Sequence, residues 1–356
     1  MNERISTLSH LILPLLEWFR DNQRTLPWRS DPTPYHVWVS EIMLQQTRVA
    51  AVLGYYRRFM EALPTVADLA QVEEDQLLKL WQGLGYYSRA RNLQKAARQI
   101  MEQFGGQFPR SYPDLLSLAG VGDYTAGAIA SIAFGLPEPA VDGNVLRVVT
   151  RITGDPSDIS QAATKKVIRA ALAEVIPLQA PGDFNQALME LGALVCLPNG
   201  APDCAHCPAH GFCAAHLTGK TAQIPVKGAK KPRKIEERTV YLLFHCGQVA
   251  LRRRPAKGLL AGLWEFPNEV VGSAESAGWG LDLTQAEVCG VGRHIFTHRE
   301  WHMTGKQLFL TNETLPEGWV WADEKAFCET YAVPNAFSAF LPAVEAYFAQ
   351  WRGGLS

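Results

Sequence analysis

Four cysteines fall within eighteen residues, at Cys196, Cys204, Cys207 and Cys213. No other feature restricts the chain so tightly. Thiols this close in sequence share one loop, and thiolates brought together require a common cation. The gaps of seven, two and five residues contain a single C-x2-C pair. Zinc ribbons present two such pairs, whereas a [4Fe–4S] cubane takes its thiolates from one all-cysteine cage. A cubane is therefore the first reading, with a zinc ion and four unrelated thiols as alternatives. Cys246, Cys289 and Cys328 are scattered singly, as small buried apolar side chains would be. An odd total of seven cysteines, with no secretory leader in MNERISTLSHLILPLLEWF, points to a reducing cytoplasm rather than a disulfide scaffold.

The rest of the chain is arranged around that loop. At 356 residues, two domains are expected from the usual size of about 100–200 residues each. Hydrophobic residues at 47%, charged residues at 19% and a net charge of −1 exclude a disordered chain and a generally basic coat. Any grip on nucleic acid must be local. No uncharged apolar run approaches the roughly 20 residues needed to span a bilayer. Apolar residues recur at helical spacing in 8–20, 36–62, 74–82, 88–104, 113–118, 124–134, 143–153, 161–175 and 183–196. Residues 1–217 are thus an almost wholly helical domain, ending in the cysteine loop. Residues 218–238 carry seven Lys or Arg against two Glu and read as a basic linker. From 239 the period changes: TVYLLFHCGQVALRRR and KQLFLTNE look like short strands, and 337–352 closes as a helix. Residues 239–356 form a smaller α+β domain.

Three features of the helical domain point to chemistry. In SYPDLLSLAGVGDYTAGAIASIAFG, Gly120 and Gly122 allow a tight turn between two helices. Outward N–H groups at such a turn bind phosphate without positive side chains, as in a helix-hairpin-helix. A plain packing hairpin is the competing reading. Asp142, twenty residues beyond Gly122, reads as a helix N-cap when taken alone. Glu41 lies in a segment apolar almost all round (Val37, Trp38, Val39, Ile42, Met43, Leu44, Val49). A carboxylate buried there has a raised pKa and suits a general acid, unless it merely pairs with an arginine.

Together these segments resemble the endonuclease III superfamily of DNA glycosylases, most closely its MutY-type adenine glycosylases. The resemblance rests on LPW at 26–28, SEIMLQQTRV at 40–49, GLGYYSRARNL at 83–93, LAGVGDYTAGAI at 118–129, VDGNVLRV at 141–148 and FNQALMELGALVC at 184–196. The second domain resembles, more weakly, the Nudix-like domain of the same enzymes through GLWEFP at 262–267 and FTH at 296–298. The implied fold is a mainly α helix-hairpin-helix glycosylase domain with a [4Fe–4S] loop, plus a Nudix-like α+β domain. The loop between Cys196 and Cys204 is one residue longer than is usual in the family. Ala119 stands where the hairpin often has Pro, and Thr297 where Ser is usual. The glutamate-rich Nudix box is missing, so pyrophosphate hydrolysis is not expected.

The resemblance also implies roles. Tyr124 occupies the position of the lysine nucleophile of bifunctional relatives and cannot form a Schiff base, which implies a monofunctional enzyme. The implied substrate is duplex DNA with adenine opposite 8-oxoguanine or, more weakly, guanine. Glu41 would protonate the adenine, Asp142 would stabilise the sugar cation, and Tyr124 and Asn144 would orient the pair. Gln186 would read the base edge, with Arg24, Leu26, Trp28 and Val49 as pocket walls. Gln46 and Tyr86 match intercalating positions, Thr47 and Leu84 lie near the lesion pair, and Phe296, Thr297 and His298 match a lesion-sensing tip. Tyr86 reads equally well as core. Arg89, Arg91 and the linker lysines are candidate phosphate contacts. The implied cofactor is a [4Fe–4S] cluster on Cys196, Cys204, Cys207 and Cys213. A cytoplasmic monomer acting on DNA, without a membrane, is expected. The rivals are a glycosylase for oxidised pyrimidines, a non-catalytic Fe–S DNA sensor, and a Nudix hydrolase tethered to DNA.

Overall fold

The structure, a computed structural model, describes residues 2–228, 232–312 and 314–354. Lys230 and Lys231 of the expected linker, and Glu313 of the expected KQLFLTNE strand, lie outside the described residues. The chain divides into two compact units, Met1–Gln71 with Asn92–Ala229 and Val72–Arg91 with Lys230–Ser356. Val72–Arg91 thus falls with the second unit, a grouping that hydrophobic periodicity does not reveal.

In chain order the helices are α1 (Asn2–Asn22), α2 (Pro27–Ser30), α3 (Pro34–Leu44), α4 (Val49–Ala62), α5 (Val66–Gln71), α6 (Glu74–Leu80) and α7 (Ser88–Gln103). They continue with α8 (Tyr112–Ser117), α9 (Asp123–Ala128), α10 (Gly143–Thr153), α11 (Ala162–Ala173), α12 (Pro181–Leu194) and α13 (Ala214–Leu217). Leu8, Leu11, Leu15 and Phe19 of α1 recur every three or four residues and are buried. They pack in one core with Val145, Val148, Val149 and Ile152 of α10 and Phe184, Leu188 and Leu191 of α12. Each such side chain contributes roughly 1.5–3 kcal/mol by leaving water. This core fixes α10 and α12, which carry Asp142 and Gln186 at or near their N-terminal ends.

The helical segment expected over 36–62 is two helices, with a turn at 45–48. Gln46 takes φ +60° there, so no glycine or proline marks the break. The segment expected over 124–134 is α9 followed by a π-helical turn at Ile129–Ala133. Of the two hairpin glycines, Gly120 has φ +73°, and a Cβ on it would lie 2.6 Å from Asn92 Cβ. Gly122 has φ −102° and ψ −178°, which any residue adopts, so the special backbone freedom expected of it is not used.

The second unit is built on a seven-stranded sheet. Its strands are β1 (Lys234–His245), β2 (Gln248–Arg253), β3 (Trp264–Glu265), β4 (Asn268–Val270), β5 (Glu287–Ile295), β6 (Arg299–Phe309) and β7 (Trp319–Ala322). The order is β3-β2-β1-β6-β5, with β4 also pairing β1 and β7 pairing β2. The long parallel β1–β6 ladder runs from Lys234↔Arg299 to Phe244↔Phe309. β1 begins five residues before the period change at 239, inside the segment expected as linker. Val240, Leu242, Phe244, Trp301 and Met303 pack against Phe337, Phe340, Val344 and Phe348. The last two belong to α15 (Leu341–Gly354), which follows α14 (Glu324–Glu329). Cys246 and Cys328 are exposed and Cys289 is half-buried, so the expectation of three buried cysteines fails. Cys246 sits in the β1–β2 turn at φ +43°, a place with no core to enter. Among the described residues no helix is long and apolar enough to cross a membrane.

Candidate active site

A cavity of about 790 Å³, open to solvent, lies in the first unit. It brings together Arg24, Leu26, Trp28, Glu41, Gln46, Thr47, Val49, Tyr124, Asp142, Asn144 and Gln186. The α3–α4 break matters here, because it turns Gln46 and Thr47 onto the cavity wall instead of continuing a helix. Glu41 is 6% exposed, on a helix buried on nearly every side. The Tyr124 hydroxyl, carried by α9, donates to Glu41 Oε2 and lies 3.7 Å from Met189 Sδ. Burial pushes the Glu41 carboxyl up to about 7; the Tyr124 hydrogen bond opposes the rise and the Asp142 charge adds to it. The acid is therefore poised to hold or release a proton near neutrality.

Asp142 is both an N-cap and a cavity residue. Its Oδ1 accepts from the Val145 amide at 2.7 Å and its Oδ2 from Asn144 Nδ2 at 2.8 Å. Burial raises its pKa, and these bonds oppose the rise. Asn144 Oδ1 in turn accepts from Arg147 Nη2 at 2.8 Å, and Arg147 Nε donates to the Cys196 carbonyl at 2.7 Å. The cysteine loop is thus hydrogen-bonded through two side chains to Asp142.

Sequence reasoning missed Arg29, Arg147, Met189 and Glu190, which also line the cavity. Glu190 is 1% exposed and accepts from Arg24 Nε and Nη2, both at 2.7 Å, and from Arg29 Nη2 at 2.9 Å. Burial alone would raise its carboxyl, but the Arg24 and Arg29 bonds hold it down to about 2. Arg29 Nε donates to Gln186 Oε1 at 3.1 Å, which leaves the Gln186 amide hydrogens for the cavity. The missed signal was spacing: Gln186, Met189 and Glu190 stand at i, i+3 and i+4 on one face of α12.

Cys196, Cys204, Cys207 and Cys213 line a second, small pocket beside α10. Arg151 Nη1 lies 3.3 Å from Cys196 Sγ. Burial pushes the Cys207 thiol up to about 12, and the neighbouring sulfurs add to the rise; Cys204 and Cys213 are raised in the same way. Among the described residues no three His, Cys, Asp or Glu side chains gather closely enough for a single metal ion. Thiolates around a cubane each take a different iron, so they stand wider apart than ligands of one ion.

The other expected residues lie elsewhere. Gly120 and Gly122 are exposed in the α8–α9 hairpin, outside the cavity lining. Leu84, Tyr86, Phe296, Thr297 and His298 belong to the second unit. Tyr86 is 47% exposed at φ +46°, and its hydroxyl meets Thr297 Oγ1 at 3.0 Å. Thr297 and His298 are exposed, while the Phe296 ring packs edge-on to Trp301. Leu84 is buried. Arg89 is also buried, and donates to the Leu84 and Gly85 carbonyls; Arg91 is bonded to Glu74. Neither offers a freely exposed charge to phosphate.

The buried Glu41 and the helix-capping Asp142 line one cavity, on helices that precede and follow the α8–α9 hairpin, and the class of protein with this arrangement is the base-excision DNA glycosylases. Residues 39–177 match the HhH-GPD superfamily of base excision DNA repair proteins, and residues 239–343 match the NUDIX domain. A solved thermostable thymine-DNA glycosylase aligns over 61% of this chain and 98% of its own, at TM-score 0.54 and 26% identity. A trapped endonuclease III–DNA covalent intermediate aligns over 60% and 98%, at TM-score 0.52 and 25% identity. The adenine DNA glycosylase of Mus musculus is 36% identical over 381 residues, covering 88% of this chain and 74% of that protein. That of Homo sapiens is 35% identical, covering 90% and 71%. That of Buchnera aphidicola subsp. Baizongia pistaciae is 38% identical, covering 71% and 72%. The chain belongs to the adenine DNA glycosylase family.

Proposed function

We propose that this adenine DNA glycosylase excises adenine from duplex DNA where it faces 8-oxoguanine and, more weakly, guanine, without cutting the strand. The observation that carries the reading is the buried Glu41–Tyr124 contact in one cavity with Asp142. The adenine is flipped out of the stack into that cavity. Glu41, protonated near neutrality, delivers a proton to N7, so the base leaves neutral rather than as an anion. The sugar left behind carries oxocarbenium charge, and the Asp142 carboxylate faces it. Asn144 and the Val145 amide hold that carboxylate in one orientation. Gln186 donates its amide hydrogens to the base edge, and Leu26, Trp28 and Val49 exclude water. Tyr124 leaves the site without an amine for Schiff-base lysis.

Gln46 and Thr47 fill the space vacated in the stack. Phe296, Thr297 and His298 sense the lesion, and the Tyr86–Thr297 hydrogen bond supports their acting together. Cys196, Cys204, Cys207 and Cys213 hold a [4Fe–4S] cluster. The fit rests on four sulfurs lining one cavity and on Arg151 beside Cys196, a cation for an anionic cluster. When bound, the cluster ties the loop after α12 and supplies fixed charge. The enzyme acts as a cytoplasmic monomer on DNA. The test is single-turnover adenine release from duplexes with adenine opposite 8-oxoguanine, guanine or thymine. Release in that order of rate supports the reading, and equal rates for all three overturn it.

A further inference from the structure

Five cations line the catalytic cavity: Arg24, Arg29, Arg48, Arg147 and Lys227. Three are committed inside the protein. Arg24 and Arg29 bind Glu190, and Arg147 donates to the Cys196 and Gly192 carbonyls. Arg48 and Lys227 are exposed, and among the described residues neither has an ion-pair partner.

Lys227 is distinguished by how its backbone is held. The Val226 carbonyl accepts from the Ile159 amide at 3.0 Å, in a bridge between Asp158 and Val226. On the other side, Gly228 packs against the Asp158 carboxylate, so closely that a Cβ on it would lie 3.0 Å from Oδ2. Three residues before Lys227, the Ile224 carbonyl accepts from Arg151 Nε at 2.7 Å. The segment is pinned before and after Lys227, so its ammonium is delivered to the cavity rim without ordering a loose linker on binding. A generic basic linker, which is all that composition supplies, would carry no such placement.

The charge of the cavity gives the ammonium its task. Arg24 and Arg29 neutralise Glu190, whereas Asp142, held by Asn144 and the Val145 amide, has no ion-pair partner among the described residues. An extruded nucleotide carries a phosphate on each side, and these must stop near the rim while the base passes inward. Phosphate close to Asp142 is repelled unless a cation meets it there. An exposed lysine is a point charge suited to that contact.

We propose that Lys227 binds the DNA backbone phosphate adjoining the extruded adenosine. The inference rests on the glycosylase reading, and the experiment separates the two. Binding of the full-length, cluster-loaded enzyme is measured against salt, on a duplex with 2′-fluoro-2′-deoxyadenosine opposite 8-oxoguanine, which resists hydrolysis. Lys227→Ala is expected to lower the slope of log K against log[salt] by about 0.9, one phosphate's worth. Lys227→Arg is expected to restore it. A methylphosphonate at one phosphate flanking the adenosine removes that charge from the DNA. It is expected to weaken wild-type binding as Lys227→Ala does, and to weaken the variant no further. An unchanged salt slope, or methylphosphonate losses that add fully to the loss in Lys227→Ala at both flanking phosphates, would overturn the assignment. So would an unchanged slope with a slower single-turnover rate at saturation, which would place Lys227 in the chemistry. Failure of wild type to release natural adenine from the same duplex would instead refute the glycosylase reading.

Discussion

Removing the Tyr124 hydroxyl should move the pH range in which the enzyme works. Tyr124 donates its hydrogen to Glu41 Oε2, a bond that favours the ionised carboxylate. Hydrogen bonds to charged groups contribute about 1.5–3 kcal/mol, and 1.36 kcal/mol corresponds to one pKa unit. In Tyr124→Phe the carboxyl should therefore titrate about one to two units above its present value of about 7. The acid must be protonated to act, so activity falls as pH rises through that pKa. At pH 8 roughly a tenth of wild-type Glu41 carries its proton, against roughly half or more in the variant. The plateau rate of Tyr124→Phe should be lower, because the acid is less well oriented, but its falling limb should lie at higher pH. Single-turnover adenine release across pH 6 to about 9.5, scaled to each protein's plateau, reads this directly. A falling limb at the same or a lower pH in the variant would refute Glu41 as the acid whose proton Tyr124 regulates.

Four further outcomes follow from the same geometry. Glu190→Gln leaves Arg24 and Arg29 facing each other without their carboxylate, and should cost about 3 kcal/mol in urea unfolding. Because the folded-state pKa of Glu190 is depressed to about 2, its stabilisation is present above the ordinary carboxylate range and fades in acid, so the two proteins should converge as pH falls toward 2. Gly127→Ala would place a Cβ 2.3 Å from the Pro139 carbonyl oxygen, and should lower stability by about 1–3 kcal/mol in thermal unfolding. Cys204→Ser should lose iron and visible absorbance, with weaker DNA binding on gel shift; full iron content would contradict the four-cysteine set. Thr297→Ala should narrow the rate difference between adenine opposite 8-oxoguanine and adenine opposite guanine while sparing the latter, measured in one competition assay.

The helical stripe of α1, the N-cap at Asp142 and the buried surroundings of Glu41 were legible because each is a local pattern of side chains. The cavity walls at Leu26, Trp28 and Gln186 were legible only through resemblance, since each is an ordinary core or surface residue by composition. Glu190 escaped notice because a charged residue in an amphipathic segment reads as solvated, and only the fold brings Arg24 and Arg29 onto it. The break at 45–48 was hidden because Gln46, not a glycine, carries the left-handed backbone. Strands β3, β4, β5 and β7 escaped because the first two are short and β5 is largely exposed. The Tyr86–Thr297 contact joins positions 211 residues apart, which no local pattern encodes.

The most direct test compares wild type with Glu41→Gln in single-turnover adenine release, on a duplex carrying one adenine opposite 8-oxoguanine. Strand breaks are scored before and after alkali. Release by the wild type alone, with breaks arising only after alkali and equal lesion binding by both proteins, is the expected result. Adenine release by Glu41→Gln at the wild-type rate would contradict the assignment of the acid, and breaks before alkali would contradict a glycosylase without lyase chemistry.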